Sequence, residues 1–353
     1  MARIILLGDL HLGARNASNH FSEYFNKFFT DVLYPYCKKH DVKQILQLGD
    51  LFDSRTQLTY KALHKSRDIW FKQMGEAGIK MTVLLGNHDI CYRHTLSINS
   101  PELLLGEYDH ITIVNEPTQM DIDGIKFDIV PWICDENKKD IAKFMGRKDK
   151  GSVLLGHFEL AGFPQHKGDQ SNTGKNTFNM SLFEGYSLVF SGHYHTRSEK
   201  GNITYTGIPY EITWADYADP KGFVVYDTVT KQYEFVNNPY TMFEKVYYSN
   251  GSTTNIKKLK GKIVKIIVAE KKDPVAYERW LDSIRLVVPY EMNIIEAGVI
   301  SMDGELDDSI QIEDTPTLIK EYISGIDTTV EKEDLIKYMH SLYQEALTLD
   351  DTL

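Results

Sequence analysis

A chain of 353 residues, 42% hydrophobic and 25% charged, is long enough for one large domain with appendages or for two of ordinary size, and its balance is that of a globular protein. No apolar stretch nears the ~20 residues that cross a bilayer, and the first strand starts at the N-terminus, so neither a spanning helix nor a secretory leader is expected and the expected location is cytoplasmic. The net charge of -11 argues against an anionic partner until its distribution is read: 14 of the 50 acidic residues but only 3 of the 39 basic ones lie from Asp303 to Leu353, which leaves the rest of the chain neutral.

The chain opens on Ile4-Ile5-Leu6-Leu7-Gly8-Asp9-Leu10-His11, an apolar run ending in glycine and then metal-capable side chains. The pattern returns at Ile45-Leu46-Gln47-Leu48-Gly49-Asp50-Leu51-Phe52-Asp53, Val83-Leu84-Leu85-Gly86-Asn87-His88-Asp89, Val153-Leu154-Leu155-Gly156-His157 and Leu188-Val189-Phe190-Ser191-Gly192-His193-Tyr194-His195. Short apolar runs bounded by glycine read as buried strands, and open α/β sheets carry their sites beyond the carboxyl ends of such strands, so these side chains are expected along one sheet edge. Residues 21–39 and 58–77 show helical spacing between the first three runs, which implies parallel strands joined by right-handed crossovers. Residues 111–114, 119–123 and 125–130 read as a meander with Asp123-Gly124 as a hairpin turn, and 203–206 and 222–226 add strands. The order fits an α/β fold of two sheets packed face to face and flanked by helices.

Polar residues at 240–254 mark a boundary, followed by a strand at 263–268, a helix at 274–284 and a strand at 286–295, a small β-α-β unit. An acidic linker at 303–314 leads to two helices. Thr315-Pro316 opens the first, with Leu318, Ile319, Tyr322 and Ile323 on one face and Gly325 at its end. Thr328 and Glu331 form a capping box for the second, which carries Leu335, Ile336, Met339, Leu342 and Tyr343 on one stripe. Such a pair cannot bury both stripes alone and calls for a partner.

Asp9, His11, Asp50, Asn87, His157, His193 and His195 supply oxygen and nitrogen donors for two divalent cations if one carboxylate bridges. Imidazole with carboxylate suits manganese, iron or zinc, and the absence of thiolate among these donors removes the usual mark of a structural zinc site. The cysteines, Cys37, Cys91 and Cys134, lack metal-site spacing and read as reduced packing residues. Two ions ~3.5–4 Å apart lower the pKa of a water and stabilise both oxygens of an in-line displacement, so an anionic phosphodiester is the natural guest. His88 is placed to protonate a leaving oxygen with Asp89 holding its ring, and Asp53 reads as a support behind the ligands. The other histidines, His94 and His166 among them, read as surface residues. Lys257, Lys258, Lys260, Lys262 and Lys265 cluster as phosphate contacts, against the plainer reading of a solvated face. The run from Gly168 to Asn176 imitates a P-loop but is one residue too long and ends in Asn, so no ATP site is expected in this chain.

The five motifs in this order resemble the calcineurin-like metallophosphoesterases. Gly8-Asp9-Leu10-His11-Leu12-Gly13, Gly49-Asp50-Leu51-Phe52-Asp53, Val130-Pro131-Trp132, Tyr205-Thr206-Gly207-Ile208-Pro209 and Lys221-Gly222-Phe223 are similar to the SbcD-type (Mre family) DNA repair nucleases, the branch that includes the recombination endonuclease subunits of T-even-type phages. The resemblance implies a four-layer α-β-β-α metallophosphoesterase sandwich as the nuclease domain (1–240), a small DNA-capping domain (241–302), and an acidic linker with a helix-loop-helix (303–353) that binds an SbcC-type, SMC-like ATPase. It further implies one manganese on Asp9, His11, Asp50 and His195 and another on Asp50, Asn87, His157 and His193, with magnesium, iron or zinc as substitutes, and His88 as the acid facing the phosphate. The activity implied is exonuclease and endonuclease cleavage of DNA in double-strand-break repair, recombination and replication, by a homodimer forming a two-plus-two complex. The nearest alternative is a phosphatase or small-molecule phosphodiesterase of the same superfamily. The protein-phosphatase pattern of Arg-Gly after Asp53 is replaced here by Ser54-Arg55. A further alternative, a non-catalytic scaffold, is disfavoured by a complete set of ligand candidates.

Overall fold

A computed structural model describes residues 3–168, 179–249 and 255–296, together with Ile323, Lys332, Leu335, Ile336, Tyr338 and Met339. Among the described residues the strands are, in chain order, β1 (Arg3–Leu7), β2 (Gln44–Gln47), β3 (Lys80–Leu84), β4 (Ile111–Val114), β5 (Thr118–Ile122), β6 (Ile125–Ile129), β7 (Val153–His157), β8 (Leu188–Gly192), β9 (Ser198–Lys200), β10 (Ile203–Tyr205), β11 (Gly222–Asp227), β12 (Gln232–Asn237), β13 (Phe243–Tyr248), β14 (Ile263–Val268) and β15 (Glu291–Glu296). They build one sheet of order β12-β11-β1-β2-β3-β4, a second of order β5-β6-β7-β8-β10-β9, and a small third of order β13-β14-β15. Strands β1 to β4 are parallel to one another, as are β6, β7, β8 and β10.

Alternate residues of the central strands enter different cores. Ile4, Leu6, Leu46, Phe127, Leu155 and Phe190 meet between the two large sheets. Ile5, Leu7, Ile45 and Val83 point the other way, under Phe25, Phe28, Trp70 and Phe71 of the helical segments 19–40 and 60–76. On the far side Leu154, Val189 and Tyr205 lie under Ile141 and Met145 of the helix Lys138–Met145. The result is the four-layer α-β-β-α order, and burial on both faces is why these strands read as unbroken apolar runs. Each such side chain contributes roughly 1.5–3 kcal/mol over its exposed state.

Segment 19–40 begins at Ser18, whose hydroxyl accepts from the Phe21 N–H, and ends at Asp41 in the left-handed conformation, φ 52°. Its middle, Phe28–Leu33, widens into a π-helical stretch just before Pro35. Proline has no N–H and crowds the carbonyl of the preceding turn, which the wider turn relieves.

Several elements differ from the sequence expectation. The three strands after residue 110 form no meander, because β4 pairs parallel with β3 in the first sheet while β5 and β6 form a hairpin in the second. The hairpin turn does fall at Asp123 and Gly124, with φ 54° and 80°. The boundary expected at 240–254 contains β13, which pairs parallel with β14, so the small unit is a three-stranded parallel sheet, one face covered by the helix Pro274–Leu286. Phe243 and Val246 are separated by Glu244-Lys245 and followed by Tyr247-Tyr248, so the segment shows neither an unbroken apolar run nor a strict alternation.

Residues 1–300 form one compact unit, which includes the third sheet, and residues 301–353 form a second. In the second, Ile323, Leu335 and Met339 are helical, with Ile323 buried and Met339 exposed. Leu318, Ile319, Tyr322, Leu342 and Tyr343 lie outside the described residues, as does most of the loop that imitates a P-loop. Among the described residues no helix is long and apolar enough to cross a membrane.

Candidate metal centre

The five glycine-terminated runs end together, but on two sheets rather than along one edge: β1, β2 and β3 deliver Asp9, His11, Asp50 and Asn87, and β7 and β8 deliver His157, His193 and His195 across the seam. The backbones come very close there. A Cβ on Gly86 would overlap Asp50, and one on Gly192 would overlap the Leu48 carbonyl and Asp9, so glycine is required at both. The N–H groups of Leu10 and His11 both donate to the Asp50 carbonyl at 3.0 Å. His11, Asp50 and His193 have φ of 43°, 50° and 89°, a left-handed conformation that costs ~1–3 kcal/mol each and persists because this network holds it.

Two donor sets result, Asp9 with His11 and His195, and Asp50 with His157 and His193, each with its donor atoms within 4.8 Å of one another. His11 Nε2 and His195 Nε2 face each other at 3.2 Å. His11 turns its Nδ1 to the Asp53 carboxylate at 3.2 Å. In the second set His157 Nδ1 donates to the Leu48 carbonyl at 2.7 Å, which leaves Nε2 as a lone pair 3.0 Å from Asn87 Oδ1 and 3.4 Å from Asp50 Oδ2. Asn87 Oδ1 is also 2.9 Å from His193 Nδ1. Asp50 Oδ2 stands 4.0 Å from His11 Nε2 as well, between the sets, where a bridging carboxylate belongs. Acceptors converging on acceptors need shared protons or cations, and this set of oxygen and imidazole donors fits a pair of divalent metals. Trp132 walls the second set, its ring 5.8 Å from His157 and 5.4 Å from His193.

The electrostatics agree. Burial lowers the basicity of His157 and His11, but carboxylates outweigh it: Asp50 and Asp9 bring His157 to about 9, and Asp53 and Asp50 bring His11 to about 9. Burial, helped by His157, pushes His193 down to about 3, which keeps it a neutral donor. Burial raises Asp9, whereas at Asp50 it is overcome by His157 and His11, which hold that carboxyl well below the usual range. The carboxylates call for positive charge, which protons or metal ions can provide.

His88 is half-buried at the rim, its ring edge-on to His11 with centroids 5.0 Å apart. Its Nδ1 donates to the Asp53 carbonyl at 2.6 Å, and its backbone N–H donates to Asp50 Oδ1 at 2.7 Å. Nε2 is therefore the atom left to exchange a proton. Asp89 does not hold the ring. Fully buried, its carboxylate accepts from the N–H groups of Gly86 (2.9 Å), Leu51 (2.9 Å) and Phe52 (3.2 Å), tying the two ligand loops together. Burial and Asp50 raise its pKa to about 7.

His166, expected at the surface, is half-buried with its ring 5.5 Å from His195, whereas His94 is exposed. The lysine cluster divides: Lys257, Lys258 and Lys260 are exposed, while Lys262 bonds Thr241 and Glu244 and Lys265 lies over the Trp214 ring at 4.4 Å. Sequence reasoning missed Asp216 and gave Lys221 and Trp132 no role. Asp216 follows no apolar strand, and Thr213-x-x-Asp216 reads as a helix cap, which it also is.

Fold and twin donor sets together define a metallophosphoesterase. Residues 2–197 match the calcineurin-like phosphoesterases, and the chain belongs to that family. Over 347 residues it is 31% identical to exonuclease subunit 1 of Enterobacteria phage T4, covering 98% of this chain and 99% of that one, which puts it on the SbcD and Mre-type branch. It is 28% identical over 202 residues to the DNA double-strand break repair protein Mre11 of Sulfurisphaera tokodaii, covering 55% of this chain and 49% of the relative. The Saccharolobus solfataricus protein of the same name is 29% identical over 202 residues, covering 56% and 50%. The chain thus spans about half the length of the two archaeal relatives.

Proposed function

We propose that this chain is the nuclease subunit of an SbcCD-like complex, a manganese-dependent enzyme that cleaves DNA phosphodiesters as exonuclease and endonuclease in recombination and double-strand-break repair. The observation that carries the reading is the meeting of seven side chains from five strand ends in two adjacent donor sets with Asp50 between them. Near full-length likeness to an exonuclease subunit supports DNA as the substrate. Two bound dications would neutralise a phosphodiester and activate the attacking water. Of the chain's own groups, Asp9 and Asp50 fix the charge of the site, the imidazoles and Asn87 orient it, and His88, braced by the Asp53 carbonyl, gives a proton to the leaving oxygen through Nε2. Residues 1–240 act as the nuclease domain, 241–302 as a cap that touches DNA through Lys257, Lys258 and Lys260, and the C-terminal helices as the grip on an SbcC-type ATPase, in a two-plus-two assembly.

The test uses labelled linear duplex and single strands with manganese or magnesium, with and without the ATPase. Degradation is expected from the wild-type chain, none from Asp50→Ala, which loses metal, and at least ~100-fold less from His88→Ala, which keeps it. Cleavage of a generic phosphodiester but of neither DNA would point to the phosphodiesterase reading.

A further inference from the structure

Resting on that metal centre, we infer that Asp216, locked by Lys221, is a positioning residue that holds His195 against the first cation and sets the strength of that one site. Asp216 is fully buried in the loop after β10. Its Oδ2 accepts from the N–H groups of Ile212 (3.0 Å) and Thr213 (2.8 Å), while Oδ1 faces Lys221 Nζ at 3.0 Å and His195 Nδ1 at 3.7 Å. Lys221, itself buried, also donates to the His195 carbonyl (2.8 Å) and to Asp219 (2.7 Å). One buried ion pair therefore flanks His195 at both ends: the lysine bonds its backbone carbonyl, and the carboxylate stands 3.7 Å from its ring nitrogen, in ion-pair range of a protonated Nδ1.

The consequence lies in the ring's two nitrogens. Nε2 looks at His11 Nε2 across 3.2 Å, the spot where the first cation belongs, and Nδ1 looks at Asp216. A carboxylate behind a ligating imidazole fixes its tautomer and raises its basicity. His11 has Asp53 behind it in the same way, whereas His157 of the second set has only the Leu48 carbonyl. The sets are thus unequal, and Asp216 acts on the first alone. His166, His195 and Asp216 also have donor atoms within 4.8 Å, but the Lys221 ammonium already supplies the cation on that side.

The test is a manganese titration of the full chain by calorimetry and electron paramagnetic resonance, with wild type, Asp216→Asn, His195→Ala and the double variant. Asparagine keeps an oxygen for the Ile212 and Thr213 N–H groups, so the loop survives. The wild-type chain binds two ions; Asp216→Asn weakens one of them about 10–100-fold and leaves the other unchanged; in the His195→Ala background the same substitution has no further effect. Two unaltered sites in Asp216→Asn, loss of both, or an equal further loss without His195 would overturn the inference. No uptake by the wild-type chain would instead overturn the metal centre, and this inference with it.

Discussion

At the scale of single residues, the centre is built from groups that would be costly anywhere else in the molecule. Asp9, Asp50, Asp89 and His157 are all nearly inaccessible to water, and a buried charge is tolerated only when paired or on a metal. They divide by role according to what their oxygens and nitrogens face. Asp50 faces the imidazoles of both sets, while Asp89 faces three backbone N–H groups. Asp89→Ala is therefore expected to act first on stability, by roughly 3 kcal/mol or more for three stranded donors, seen as a lower urea midpoint. His88→Ala, by contrast, loses one hydrogen bond from a half-buried ring and should cost about 0.5–1.5 kcal/mol, a smaller drop in the urea midpoint than Asp89→Ala gives. The ligand candidates were legible in sequence because each lies within three residues of a glycine that closes an apolar run. The grouping of Asp89 with His88 was not: adjacency along the chain suggested contact, but the turn after Gly86 sends the two side chains to opposite sides.

At the scale of elements, strand ends position the donors and a buried glutamate ties the start of the third sheet to the segment between β10 and β11. Glu211, nearly inaccessible, accepts from the N–H groups of Met242 (2.6 Å) and Phe243 (2.9 Å) where β13 begins. Burial raises its pKa, so the folded state favours the protonated form, and the stability this group contributes is present at low pH and lost as pH rises through the raised value. Glu211→Gln, which keeps the acceptor without the charge, should then melt above wild type at about pH 8, with the gap closing towards about pH 4, whereas Glu211→Ala should cost about 2–4 kcal/mol at about pH 4 and less at about pH 8. Thermal melts across that range check both. The central strands were readable because burial on both faces leaves unbroken apolar runs. β13 was not, since Phe243-Glu244-Lys245-Val246-Tyr247-Tyr248 shows only one regularly covered face and a neighbouring polar stretch. β4 went to the wrong sheet because spacing along the chain carries no information about which edge a strand joins.

At the scale of the whole molecule, charge and chemistry are segregated. The excess negative charge sits in residues 303–353, and the metal centre lies in the unit 1–300. Deleting residues 306–353 should leave manganese stoichiometry unchanged and end co-purification with an SbcC-type ATPase; undiminished co-purification would place the ATPase contact elsewhere. The most direct test of the account as a whole is anomalous X-ray scattering at the manganese edge from crystals of the full chain grown with manganese. The account predicts two peaks ~3.5–4 Å apart, with Asp50 between them and His11, His195, Asn87, His157 and His193 around them. No peak there, or a single ion that Asp50 does not touch, would contradict it.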